Sequence, residues 1–505
     1  MPTFHIQQFG CRATQADGAA LERQLRDRGY SAVSDPGSAE IIIINTCTVT
    51  AAADSQARDA IRKIHAQNPQ AQVIVTGCYA QRAPEELSAL PGVSWVVGNS
   101  HKPQIPNLLT TQAEAQHAAP RLAQTSASLG SSFPPDVFPT AALQAGHSAK
   151  LVPAPAENGS QQNAKILTSN IFEQSVLLAA PVLGGEGNHT RPTLKIQDGC
   201  NSRCSYCVIP FVRGRSRSLP PQTVIAEIER LANSGYKEVV LSGINLGTYG
   251  RDLASRVEFE ELLRRILDQT SIERLRISSI EPLDITEDLI DLFARNDRIA
   301  QHFHMPLQSA SNRLLAAMHR WYRAEHYARR VQLIHDRLPH AAIGADVITG
   351  FPGETAADHA ATISFIEGLP FTYLHVFSFS KRPGTKAASL ANEVPPAAIK
   401  NRARQLRALS ESKSCAFRQS QAGRTLRVLT LRADERDAAS TPALSSSFLN
   451  VAVSGNWPAN QWLDVRFSGV QNKVLSSQAE NNPANFAFAI ENPQQTPDLS
   501  QTTAR

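Results

Sequence analysis

Three cysteines, Cys200, Cys204 and Cys207, constrain this chain more than any other stretch of it. Their C-x3-C-x2-C spacing packs three thiols into one short loop, directly after the alternating run Leu194-Lys195-Ile196-Gln197, which reads as a strand. A cubane of four irons and four sulfides takes four cysteine thiolates. Three ligands in one loop hold three irons and leave the fourth open, much as a catalytic zinc keeps one position free. A structural zinc site is the plainer alternative, but it needs a fourth ligand, and no His or Cys lies within ten residues downstream. A disulfide leaves one thiol over. The spacing favours an open-site iron–sulfur cluster.

Length and charge narrow the setting. A chain of 505 residues allows two or three domains and a sizeable core. No run approaches the ~20 apolar residues of a membrane helix, and Met1-Pro2-Thr3-Phe4-His5 lacks the basic-then-apolar start of a secretory signal. A cytoplasmic protein with no membrane partner is expected, in a compartment where thiols stay reduced. The formal charge of +5 permits a nucleic-acid partner without arguing for one.

The cysteine run resembles that of the radical S-adenosylmethionine (radical SAM) superfamily. The resemblance implies that the amine and carboxylate of S-adenosyl-L-methionine chelate the open iron. An electron from the cluster then cleaves the sulfonium to a 5′-deoxyadenosyl radical.

Six of the seven cysteines fall into two triplets; Cys415 has no partner and no expected role. In the first hundred residues, segments 3–8, 40–44 and 72–75 read as strands, and 17–28 and 51–67 as helices. Alternation of this kind implies a doubly wound parallel sheet. Cys11, Cys47 and Cys78 each stand just past the carboxyl end of one of these strands. Ligands gather at that edge, and neighbouring strands are only ~5 Å apart. Thiols more than thirty residues apart in sequence can therefore meet at one point. The alternative is three small buried hydrophobes.

An α/β domain with three strand-end cysteines, followed by the C-x3-C-x2-C domain, resembles the methylthiotransferase family. In that family the first triplet holds a second four-iron cluster, which carries the sulfur to be inserted. The resemblance thus implies two [4Fe-4S] clusters, S-adenosyl-L-methionine, an outside reductant and an unspecified sulfur donor. After Cys11 this chain departs from the usual pattern, reading Arg12-Ala13-Thr14-Gln15 where the family has Asn before the Gln. The runs Lys195-Ile196-Gln197-Asp198-Gly199-Cys200 and Ser242-Gly243-Ile244-Asn245-Leu246-Gly247 are most similar to the branch acting on N6-threonylcarbamoyladenosine of tRNA.

The expected fold is an N-terminal doubly wound α/β domain (1–105), a linker or insert (106–190), a partial (β/α)6 TIM-like radical SAM barrel (191–415), a small TRAM-like β-barrel (416–478) and a disordered tail (479–505). The insert is rich in Ala, Ser, Gln, Pro and Gly and reads as flexible, with one short docked element at 172–183. Six strand candidates, each followed by a helical run, build the central barrel, so functional residues belong at the strands' carboxyl ends. There the resemblance assigns Gly243, Asn245, Ser278 and Glu281 to the cofactor. His302 and His304 are expected to pack within their strand. Arg213, Arg215 and Arg217, just past the cysteine loop, suit an RNA backbone. The C-terminal strands resemble the TRAM domain of RNA-modifying enzymes. Rival readings are the isopentenyladenosine branch, aspartate methylthiolation on a ribosomal protein, and a non-catalytic iron–sulfur RNA sensor.

Overall fold

A computed structural model of the chain describes residues 1–109, 164–182, 190–432, 440–471, 474–479 and 486–488. The first sheet has six parallel strands in the order Ser31–Ala32, Thr3–Gln8, Ile41–Thr46, Gln72–Gly77, Val93–Gly98 and Lys165–Leu167. Ile41–Thr46 is buried at every position, as an unbroken apolar run requires when helices cover both faces. Alternate residues serve opposite cores. Ile42, Ile44, Val73 and Val75 pack on Ala57, Ile61 and Ile64 of the helix Ala51–Gln67. Ile41, Ile43 and Ile74 pack on Leu21 and Leu25 of the helix Arg12–Arg26.

The linker reading needs correcting at its end. Lys165–Leu167 is the sixth strand, pairing Trp95 to Lys165 and Val97 to Leu167, and a short 3₁₀ turn at Ile171–Glu173 follows. Three residues are too few to show periodicity, and only the neighbouring strand gives them a register. Residues 110–163 and 183–189 lie outside the described residues, and with them most of the predicted insert.

Six more parallel strands follow in chain order. Thr193–Lys195, Glu238–Ser242 and Arg274–Ile277 form one sheet; His302–Gln308, Ala342–Thr349 and Tyr373–Ser378 form the next. Single bridges, Leu275 to Ile299 and Ser279 to His304, join them into an open six-stranded barrel. Period-two alternation sorts its side chains. Phe303, Met305, Leu307, Ile343, Ala345 and Val347 belong to the core shared with the surrounding helices. His302, His304 and Asp346 point the other way, into the lumen.

A long helix, Pro396–Ser420, leads to a closed antiparallel barrel. Its strand order is Thr425–Thr430, Ser440–Ser445, Asn450–Ser454, Phe486–Phe488, Val474–Ala479, Trp462–Gln471. The expected tail is therefore not wholly outside the fold: Phe486–Phe488 pairs with strands on both sides. Residues 480–485 and 489–505 lie outside the described residues.

This small barrel is joined to the amino ends of the central strands. Glu238 is fully buried and paired with Arg274 and Arg276. Those guanidiniums donate onward to the carbonyls of Leu444 (3.0 Å), Ser445 (2.9 Å) and Ser446 (3.0 Å). Phe448 stacks on His302 with ring centres 4.4 Å apart. Burial, with Arg276 adding to it, holds His302 well below the usual imidazole pKa, which makes it a neutral packing residue as expected. No helix among the described residues is long and apolar enough to cross a membrane.

Candidate functional site

The 200–207 loop sits at the opposite, carboxyl end of the barrel strands. Gly199 turns the chain into it with φ +71°, and a Cβ there would stand 2.0 Å from the Arg215 carbonyl oxygen. The loop is pinned across the barrel mouth: the Ser205 amide donates to Met318 O (3.0 Å) and its hydroxyl to Ala317 O (2.8 Å). Arg320 reaches Cys204 Sγ at 3.5 Å and forks onto both carboxylate oxygens of Glu281. Burial pushes the Cys207 thiol up to about 12, with Cys204 and Cys200 adding to it. Cys204 is also raised by burial, against the pull of Arg320.

The predicted cofactor residues line the same mouth. Gln197 clamps the turn after the second strand: its Oε1 accepts from the amides of Ile244 (2.9 Å) and Asn245 (2.8 Å). Its Nε2 donates to the Gly199 carbonyl (2.8 Å), tying that turn to the cysteine loop. Two polar atoms have no hydrogen-bond partner although buried, Asn245 Oδ1 and Ser278 Oγ. Orphans of this kind are costly unless a ligand satisfies them. Against the cysteine loop a cleft of about 320 Å³ opens between Asn201, Ser202, Thr248, Arg251 and Trp321.

The other three cysteines end neighbouring strands of the first sheet. Cys11 precedes the helix Arg12–Arg26, Cys47 follows Ile41–Thr46, and Cys78 starts the helix Cys78–Arg82. Register places Gln8 opposite Asn45, and Thr46 opposite Gly77, so the three chain ends leave the sheet side by side. Gly10, at φ +105°, lets two of them close up; a Cβ there would lie 2.9 Å from Cys47 Sγ. Burial, then the nearby Cys78 and Cys11, push the Cys47 thiol up to about 12. Thiols held this high ionise only against strong positive charge, which an iron cluster supplies. Neither trio brings all its sulfurs within 4.8 Å of one another, whereas one tetrahedral zinc would hold them about 3.8 Å apart. Three thiols apiece are the donor type and number that an open-site cubane takes.

The two cysteine-bearing domains meet across one interface. Cys78 packs on Val208 and Val212, in and beside the short helix Ile209–Arg213 that leaves the 200–207 loop. Asn99 Nδ2 bridges them, 3.6 Å from Cys78 Sγ and 2.7 Å from the Val212 carbonyl. Around this seam lies a buried charge network. Arg213 donates to both oxygens of Asp198 (3.0 Å each) and to Asp17 (3.1 Å). Lys102 joins Asp17 at 2.8 Å, and Lys195 bridges Asp17 and Asp198. Burial alone would raise Asp17, but Lys102, Lys195 and Arg213 together hold it at about 2. Three cations face two carboxylates, which leaves positive charge beside Cys11 and Cys78, the neighbours that in turn favour charged Arg213.

That network corrects the RNA reading of the basic cluster. Arg213 is 2% exposed and committed to Asp198 and Asp17. Arg217 is buried too, donating to the carbonyls of Arg213 (2.9 Å) and Arg215 (3.0 Å). Only Arg215 is exposed. Guanidiniums turned inward onto carboxylates and carbonyls, with their unpaired Nε atoms buried as well, offer no fork to phosphate.

Sequence reasoning missed Gln197, Arg320 and the Asp17–Lys102–Lys195 set. One signal was readable: Asp17 lies on the apolar stripe of its helix with Ala13, Ala16, Ala20 and Leu21, where a lone carboxylate implies a buried partner.

Residues 3–98 match the Uncharacterized protein family UPF0004, and residues 194–366 match the Radical SAM superfamily. The chain is 35% identical to a threonylcarbamoyladenosine tRNA methylthiotransferase MtaB of Aquifex aeolicus, over 84% of this chain and 92% of that one. Its identity to the protein of that name from Bacillus subtilis is 34%, over 81% of each. A tRNA-2-methylthio-N(6)-dimethylallyladenosine synthase of Clostridium tetani is 31% identical over 78% of this chain and 77% of that one. Among solved structures, the radical S-adenosylmethionine methyltransferase TsrM from Kitasatospora setae, with cobalamin and a [4Fe-4S] cluster bound, shares the fold. That likeness has a TM-score of 0.51 at 18% identity, covering 77% of each chain. The arrangement is that of a radical SAM enzyme. Within that class the chain belongs to the methylthiotransferase family, whose cofactors are S-adenosyl-L-methionine and [4Fe-4S] clusters.

Proposed function

We propose that the chain is a tRNA methylthiotransferase acting at C2 of N6-threonylcarbamoyladenosine, beside the anticodon. The observation that carries the reading is the direct packing of Cys78 against the helix leaving the 200–207 loop. It sets two cysteine trios against one seam, as sulfur transfer between two centres requires. The substrate follows the relatives named for threonylcarbamoyladenosine, which match at up to 35% identity. The C. tetani dimethylallyladenosine synthase matches at 31%.

In this reading Cys200, Cys204 and Cys207 hold one cluster, and Cys11, Cys47 and Cys78 the other. Bound together, the clusters and S-adenosyl-L-methionine supply the radical that opens the adenine C2–H bond and the sulfur and methyl group placed there. The chain's own part is positioning. Gln197 fixes the 243–245 turn, which lets Asn245 and Ser278 offer their unpaired oxygens to the cofactor. Glu281 acts through Arg320, keeping a guanidinium against Cys204. No side-chain general base is needed for hydrogen abstraction. A reductant must feed electrons in, and an outside donor must replace the sulfur used.

For the tRNA, exposed aromatics suit unstacked bases better than the buried arginines do. Phe211 (47% exposed) and Trp321 (79%) flank the loop, Phe172 meets Phe211 edge-on, and Arg203 lies 5.5 Å over the Phe172 ring.

Two measurements test this. Mass spectrometry of tRNA nucleosides from a deletion strain lacking any second such enzyme should show 2-methylthio-threonylcarbamoyladenosine replaced by its precursor; an unchanged nucleoside overturns the substrate. Ser278→Ala should raise the KM for S-adenosyl-L-methionine about tenfold, the scale of one hydrogen bond to a charged group, with tRNA affinity unaltered. An unmoved KM removes Ser278 from the cofactor site.

A further inference from the structure

Midway down the barrel lumen three side chains from adjacent strands converge. Asp346 and His375 are directly paired across Ala342–Thr349 and Tyr373–Ser378. His304, on His302–Gln308, pairs with Gly344, two residues before Asp346. Asp346 Oδ1 lies 3.2 Å from His304 Nε2 and 3.3 Å from His375 Nδ1. A metal holding such donors at about 2.0–2.2 Å would separate them by about 3.0–3.4 Å, so these spacings already suit one ion. All three donor atoms lie within 4.8 Å of one another, a closeness that neither cysteine trio reaches.

The surroundings of the His304 ring give the second observation. Its Nδ1 is 2.5 Å from Ser279 Oγ. Metal-bound histidines characteristically have their outer nitrogen engaged in this way, which fixes the ring and raises the basicity of the inner one. Nε2 is buried and has no hydrogen-bond partner; it sits near Asp346 Oδ1 but off the line of an N–H···O bond. With the proton on Nδ1, Nε2 turns a lone pair toward a carboxylate. Two electron-rich atoms at 3.2 Å repel unless a cation stands between them. Tyr373 walls the group in, its ring 5.9 Å from that of His304 and 5.2 Å from that of His375.

We propose that His304, Asp346 and His375 bind one divalent first-row transition-metal ion in the barrel lumen, with Ser279 as the group that orients His304. Two imidazoles and a carboxylate on neighbouring strands occupy one face of the ion and leave positions open toward the lumen, for water or a substrate oxygen. The site shares no residue with either cysteine trio, and it holds whichever nucleoside the enzyme modifies.

The test uses anaerobically reconstituted holoenzyme, whose clusters occupy the cysteines and, when oxidised, are diamagnetic. Mn(II) is titrated by EPR and Zn(II) by equilibrium dialysis. Wild type should bind one equivalent of at least one of these ions. Asp346→Asn and His375→Gln should each abolish that binding with cluster iron unchanged, which excludes misfolding as the cause. Ser279→Ala should weaken binding about tenfold, the usual loss when a second-layer partner of a metal ligand is removed. Binding of neither ion by wild type, or undiminished binding in both ligand variants, overturns the proposal and leaves His304–Asp346–His375 a hydrogen-bonded chain.

Discussion

Replacing Cys47 with alanine will abolish sulfur insertion while cofactor cleavage continues. Cys47 is buried, and its Sγ has both other trio members as electrostatic neighbours, while Gly10 leaves space beside it for no other group. Loss of one of three ligands from a buried site leaves the remaining thiols to hold a cubane that cannot assemble. Iron in the reconstituted protein should fall from about eight per chain to about four. 5′-Deoxyadenosine should still form on adding reductant and S-adenosyl-L-methionine, because the 200–207 loop is untouched. Methylthiolated nucleoside should vanish. Cys207→Ala should lose both products, and that contrast identifies the division of labour. Retention of methylthiolation in Cys47→Ala, or joint loss of both activities, would refute the assignment of two centres with separate tasks.

The second large effect concerns the seam itself. Arg213→Met will destabilise the protein by roughly 3–5 kcal/mol, the scale of removing one partner from a buried ion pair. Asp198 and Asp17 would each lose a buried charged donor, keeping Lys195 and Lys102 and, 4.0 Å from Asp198, Arg217. Chemical unfolding of the variant and parent measures the difference, and a change below about 1 kcal/mol, the scale of an exposed pair, would mean that water already reaches the network. Asp17 adds a pH signature. Its carboxyl is held at about 2, below the ordinary 3.8, so its contribution is whole above pH 3.8 and drains away as pH falls toward 2. The gap between parent and Asp17→Asn should therefore narrow across that window and stay level above it.

What could be read from the chain, and what could not, divides along a physical line. Local periodicity located Ile41–Thr46 and Pro221–Asn233, because a covered strand and an amphipathic helix each repeat a pattern within a few residues. Strand ends located Cys11, Cys47 and Cys78, since a parallel sheet gathers its chain ends at one edge, while spacing alone located Cys200, Cys204 and Cys207. Lys165–Leu167 and Phe486–Phe488 escaped because three residues carry no period; partners far away define them. The direction of a long side chain was equally hidden. Arg213 finds Asp17 from 196 positions away, and nothing in Arg213-Gly214-Arg215 distinguishes a guanidinium turned inward from one offered to phosphate. Arg320 and Glu281 show the same limit: their pairing is set by the closing of the barrel, 39 residues apart.

The small C-terminal barrel has a consequence beyond any grip on RNA. Its 445–448 turn corks the bottom of the central barrel, with Phe448 against His302 and three carbonyls taken by Arg274 and Arg276. Cutting the chain after the long helix would thus do more than shed an accessory module. It would strip Glu238, Arg274 and Arg276 of their ceiling, admit solvent from below, and turn a closed-ended reaction vessel into a leaking tube.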